Sequence, residues 1–160
     1  AEHHPRVTYL KGDIFIDRIP FSDVIVAPFV VNYSTTVPIL KHLFKKMYDS
    51  LSEEGKIVIV VDLPNNKKLE RFGASKKILG ATTDEASLQI DIFNGGDKLC
   101  TLYAVYFTPE TIQNTIVSVG FKNVCWHKPI ISKEGLRLMS DSSWCEYLED
   151  PELGYITATK

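Results

Sequence analysis

Residues 23–62 constrain the fold more than any other stretch. Asp23 to Phe29 (DVIVAPF) is a nearly continuous apolar run, of the kind buried on both faces of a parallel sheet. Between Thr35 and Leu51 the apolar positions are Leu40, Leu43, Phe44, Met47, Tyr48 and Leu51, the spacing of one buried helical stripe. Thr35 or Thr36 is placed to cap that helix, and Pro38 is tolerated in its first turn. Ser52-Glu53-Glu54-Gly55 reads as its stop, with Gly55 available for a left-handed C-cap. Lys56 to Asp62 (KIVIVVD) is a second buried strand. Strand, helix and strand with short joints predict a right-handed βαβ unit.

The flanks alternate between the two periods. Val7 to Lys11 is short, β-branched and aromatic, and closes on Gly12-Asp13, which reads as a strand and turn. Ser87 to Phe93 alternates, Asn94-Gly95-Gly96-Asp97 signals a hairpin, and Leu99 to Phe107 returns as its partner. Lys76 to Ala81 adds a third strand, giving a β-meander inserted at about residues 75–107 of one domain. Thr108-Pro109-Glu110 starts a helix whose stripe is Ile112, Ile116 and Val119 and whose stop is Gly120. A strand over 123–131, a helix over 142–148 and a last strand over 153–159 complete the chain.

Composition narrows the functional classes. There are 18 basic and 20 acidic residues in 160, a net charge of −2, so a general nucleic-acid binder is not expected. No apolar run approaches the ~18 residues of a membrane-spanning helix. Cys100, Cys125 and Cys145 are odd in number and widely spaced. They suggest neither disulfides nor a zinc site, two of them read as small buried hydrophobes, and the setting is expected to be cytoplasmic. Of the histidines, His3 and His4 read as solvated, and no metal-binding spacing occurs. The charged stretch Asn65 to Arg71 reads as a solvated face.

The order of the segments PRVTYLKGDIF, FSDVIVAPFVVNY, LKHLFKKMYDSLSEEGKIVIVVD, YFTPETIQNTIVSVGFKNVCWH and ITATK carries a family resemblance. Together they resemble the C-terminal part of a class I S-adenosylmethionine-dependent methyltransferase, of the small-molecule type related to the ubiquinone-biosynthesis enzymes. The resemblance implies an α/β fold: a partial Rossmann-like sheet, mainly parallel, with the meander inserted and an antiparallel C-terminal strand. The family's glycine-rich cofactor loop has no counterpart here, because Gly95-Gly96 lies between two alternating strands. The domain is therefore expected to be N-terminally truncated. It would hold S-adenosylmethionine only when that loop is supplied, and it is expected to be inactive alone. In such a sheet the Asp23 strand becomes an open edge. It would pair with the Val7 strand, swap, or form a homodimer.

The resemblance also implies site residues. Asp13 matches the acceptor for the adenine amino group and Ile14 the residue beside the adenine ring; the plain alternative for Asp13 is a turn residue. Ala27 and Phe29 lie toward the cofactor, at the carboxyl edge where open α/β sheets bind ligands. Asn32, Tyr33 and Tyr106 are assigned to a small-molecule substrate, with Tyr33 as candidate base. A packed tyrosine is the alternative for Tyr33, and core positions are the alternative for Tyr103, Tyr106 and Phe107. His127 reads as a structural histidine, and Asp62 as either a substrate contact or a turn cap. The competing function is a non-catalytic methyltransferase-like remnant that binds or assembles with a partner.

Overall fold

A computed structural model describes residues 6–64, 70–139 and 141–160, apart from the side chains of Arg71 and Asp141. His3, His4 and most of the charged stretch Asn65 to Arg71 lie outside the described residues.

The βαβ unit forms from β1 (Ser22–Pro28), α1 (Val37–Asp49) and β2 (Leu51–Asp62), with β1 and β2 parallel. Leu40, Leu43, Phe44 and Met47 of α1 are fully buried, as are Ile57, Ile59 and Val61 of β2. The two periods of the sequence thus meet in one core. Thr36 caps α1, but its bond to Ile39 N is long at 3.4 Å, and Glu85 Oε1 accepts the shorter bond from Val37 N at 2.7 Å. A carboxylate at that end also complements the helix dipole.

Three further strands form a separate antiparallel sheet: β3 (Ala74–Leu79), β4 (Ala86–Asn94) and β5 (Asp97–Tyr106). Then α2 (Pro109–Val119) begins at the Thr108 cap and ends at Gly120, whose φ of 117° needs a residue without Cβ. It is followed by β6 (Lys122–His127), α3 (Lys133–Leu138), α4 (Asp141–Glu149) and β7 (Leu153–Thr159). The main sheet has the order β1-β2-β7-β6. β1, β2 and β6 run one way and β7 runs against them. This is the expected α/β class with a reversed C-terminal strand. Helices α1 and α2 lie on one face, over Ile57, Ile59, Ile156 and Ala158. Val24 and Val26 alternate to the other face and are exposed. Among the described residues no helix is long and apolar enough to cross a membrane.

Four expectations need correction. Residues 7–11 are not a strand: Val7, Tyr9 and Leu10 are exposed and join no ladder. A β-branched run becomes a strand only against an edge, and the only described partner of β1 is β2. Gly55 is not a helix cap. Helix α1 ends at Asp49 with Ser50 in right-handed geometry, and β2 starts at once with an irregular first turn that places Lys56 opposite Val24. Gly55 is needed there for space, since a Cβ would lie 2.9 Å from both Leu51 Cβ and the Ser52 carbonyl. The strand expected over 123–131 stops at His127, and the unexpected α3 follows, capped by Ser132, which accepts from Gly135 N. All three cysteines are exposed rather than buried.

Candidate functional site

A cavity of about 610 Å³ opens at the carboxyl ends of β1 and β2. One wall is the turn after β1. Phe29 there has a left-handed φ of 62°, a strained state for a residue with a Cβ, and its N–H donates to Val60 O at 2.7 Å. That bend sets Phe29 and Tyr33 on the rim. A second wall is the β-meander, with Ile90, Ile92, Leu102 and Ala104 facing in. α3 and α4 make the third. Trp144 Nε1 donates to Gly135 O at 2.9 Å, fixing one helix on the other. Trp144, Tyr147 and Phe72 form a three-ring cluster with centroids 5.1–6.2 Å apart. Burial, together with the neighbouring Tyr155 and Glu152, pushes the Tyr147 hydroxyl well above the usual tyrosine range.

A buried ionic cluster lies at the end of this otherwise apolar space. Lys76 Nζ is 2.8 Å from Asp62 Oδ1, and it donates to Glu152 O at 3.2 Å. Glu152 Oε2 is 3.9 Å away, beyond hydrogen-bond distance, and Glu152 Oε1 has no partner among the described residues. All three side chains are about 5% exposed. Burial pushes the Glu152 carboxyl up; Lys76 pulls it down, and Asp62, Glu70 and Asp150 push it further, leaving it at about 7.

The candidate residues separate into those at the cavity and those away from it. Phe29, Asn32 and Tyr33 line it. Tyr33 is 54% exposed. Asn32 is buried and serves as a clamp: Oδ1 accepts from Asp62 N at 2.8 Å, while Nδ2 donates to Val105 O at 3.1 Å and Asp62 O at 3.4 Å. It joins the end of β2 to β5 and holds the Asp62 carboxylate toward Lys76. Tyr106 does not line the cavity; it packs with Leu88, Ile90 and Ala104 in the meander core. Tyr103 is exposed, against the expectation of a core position, because it alternates to the outer face of β5. Ala27 is buried in the main core. Asp13 is exposed and is part of its own turn, its Oδ1 accepting from Phe15 N and its N–H donating to Asp17 Oδ2. Ile14 packs on the core, and Lys46 Nζ ties the loop down by donating to Ile14 O and Asp17 O, both at 2.7 Å. His127 is engaged with Thr157 Oγ1 at 2.7 Å.

The family model of the O-methyltransferase domain matches residues 1–81. The chain belongs to that family. No curated protein matches its sequence at a significant level. Solved structures agree in fold. A methyltransferase from Listeria monocytogenes described as putative and S-adenosylmethionine-dependent superposes with a TM-score of 0.64 at 19% identity, covering 99% of this chain and 71% of that one. Human N-acetylserotonin methyltransferase, solved with S-adenosylmethionine, gives 0.56 at 14% identity, over 99% of this chain and 35% of that one. A Micromonospora echinaspora amino pentose methyltransferase gives 0.55 at 13%, over 92% and 62%. The chain thus spans about a third of the human enzyme's length.

Asp13 and Ile14 are on one loop, Ala27 is in β1 and buried in the core, and only Phe29 of these four lines the cavity.

Proposed function

We propose that this domain serves S-adenosylmethionine-dependent methyl transfer to a small-molecule acceptor, and that the 610 Å³ cavity is the acceptor site. The observation that carries the proposal is the cavity's position at the carboxyl ends of β1 and β2, where α/β sheets bind ligands, in a chain of the O-methyltransferase family. On this reading Tyr33 faces the acceptor and the donor's glycine-rich cradle is supplied by residues outside these 160. The scatter of Asp13, Ile14 and Ala27 favours a second reading, a non-catalytic member of the family that binds or assembles with a partner.

Calorimetric titration with S-adenosylmethionine, of the chain alone and of the chain together with a polypeptide carrying that cradle, separates the two. Micromolar binding in either sample would support a working donor site. Absence of binding by the chain alone would remove catalysis by this chain alone, and absence in both samples would favour the assembly role.

A further inference from the structure

Lys76 spends its short contacts on Asp62 Oδ1 at 2.8 Å and on the Glu152 carbonyl at 3.2 Å. The Glu152 carboxylate is left 3.9 Å from the ammonium, with Oε1 unpartnered among the described residues and the side chain about 5% exposed. Among the described residues the cluster therefore pairs one cation with two carboxylates, inside a low-dielectric space where an unpaired charge is costly. Apart from Asn32 and Ser132, the remaining walls are apolar or aromatic. The Phe72–Trp144–Tyr147 cluster offers ring faces of the kind that attract a cation.

We propose that the cavity selects a ligand with a protonated amine on an apolar body, the amine pairing with Glu152 and lying against the Trp144–Tyr147–Phe72 rings. The amine supplies the positive charge that the described residues of the cluster lack and gives Oε1 its donor. A neutral alcohol of the same shape brings a donor without the charge, and a carboxylate adds a third negative group. This rests on the reading of the cavity as the acceptor site and names the chemistry of what enters it; the atom that receives a methyl group is a separate matter. The elevated Glu152 carboxyl agrees with the geometry, since burial outweighs the pull of a cation already engaged elsewhere. Among the described residues the other titratable groups around it are Asp62 on β2, Lys76 on β3, Glu70 before β3, Asp150 before β7, Tyr147 on α4 and Tyr155 on β7.

The test uses the full chain without methyl donor, and three probes of one shape: 2-phenylethylamine, 2-phenylethanol and phenylacetate. Binding is followed by calorimetry at pH 7 in buffers of different ionisation enthalpy. The amine should bind at least tenfold tighter than the alcohol, with phenylacetate weakest. Its binding should release a fraction of a proton as Glu152 ionises. Glu152→Gln should lose the amine preference and the proton release while keeping the alcohol's affinity, with a thermal melt confirming that it folds. Equal affinity for amine and alcohol, preference for phenylacetate, or no binding of any probe would each overturn the proposal. The wild-type series decides it even if the variant does not fold. A failed amine series leaves the donor titration unaffected, and a failed donor titration leaves this series readable.

Discussion

Replacing Glu152 by Gln should make the protein less sensitive to rising pH, by an amount that follows from the buried cluster. In the folded chain the carboxyl is held at about 7, against its ordinary 4.5. Below pH 4.5 both folded and unfolded chains carry the proton, and the group contributes no penalty. Between 4.5 and 7 the unfolded chain gives up its proton while the folded chain keeps it, so stability falls as pH rises. Above 7 both have lost it, and the full cost of the buried charge is present. Integrated over that window the penalty is about 3 kcal/mol, and about 2 to 3 kcal/mol of it develops between pH 5 and pH 8. Glutamine keeps the shape without the titration, and Lys76 retains Asp62 at 2.8 Å. Urea denaturation of both proteins at pH 5 and pH 8, followed by tryptophan fluorescence, gives the two stability differences. Comparing them cancels every pH-independent effect of the amide and every other titrating group that the two proteins share. The gap in favour of Glu152→Gln should widen by about 2 to 3 kcal/mol on going to pH 8. Parallel pH profiles would show that Glu152 titrates like an exposed carboxyl, and the account of the cluster would be wrong.

Three other outcomes follow from single contacts. Asn32→Ala removes the partners of Asp62 N and Val105 O together and should cost about 1–3 kcal/mol in the same denaturation assay; an unchanged midpoint would mean water replaces the clamp. Gly154→Ala would place a Cβ 2.6 Å from Trp126 Cζ3 and 2.8 Å from Leu63 Cδ1, so the melting temperature should drop in line with an overpacking cost of about 1–3 kcal/mol. An equal melting temperature would show that the indole moves freely. Strand β1 pairs only with β2 among the described residues and exposes Val24 and Val26. Light scattering should therefore show concentration-dependent association that Val26→Lys weakens, and a monomer at all concentrations would remove the edge as an interface.

What could be read from the residues depended on how far apart the cooperating residues are in the chain. The α1 stripe and the Thr108-Pro109 helix start are settled by neighbours within a turn or two, and both form as expected except that Leu51, the last position of the stripe, opens β2. Val7 to Lys11 has strand-forming residues, but a strand forms only when the fold lays it along a partner, and nothing local says that this segment stays off the open edge of β1. The same limit explains the site. Phe29 and Tyr33 are near one another and follow a buried strand, so their place at a sheet's ligand edge was accessible to inspection. Asp62, Lys76 and Glu152 come from β2, from β3 and from the residue just before β7, and in sequence each looks ordinary: a turn cap before Pro64, a strand lysine, and one of several acids around Pro151. Only the pairing of β2 with β7, beside the meander, brings them together. Asp13 shows the converse. Its residue type fits an adenine acceptor, yet Phe15 N lies close enough in the chain to take Oδ1 without any help from the fold. A short polar side chain beside a free N–H is more readily used locally than for a distant ligand. Residues whose nearest possible partner is far away in sequence, such as Glu152, are therefore where the chemistry of this cavity should be sought.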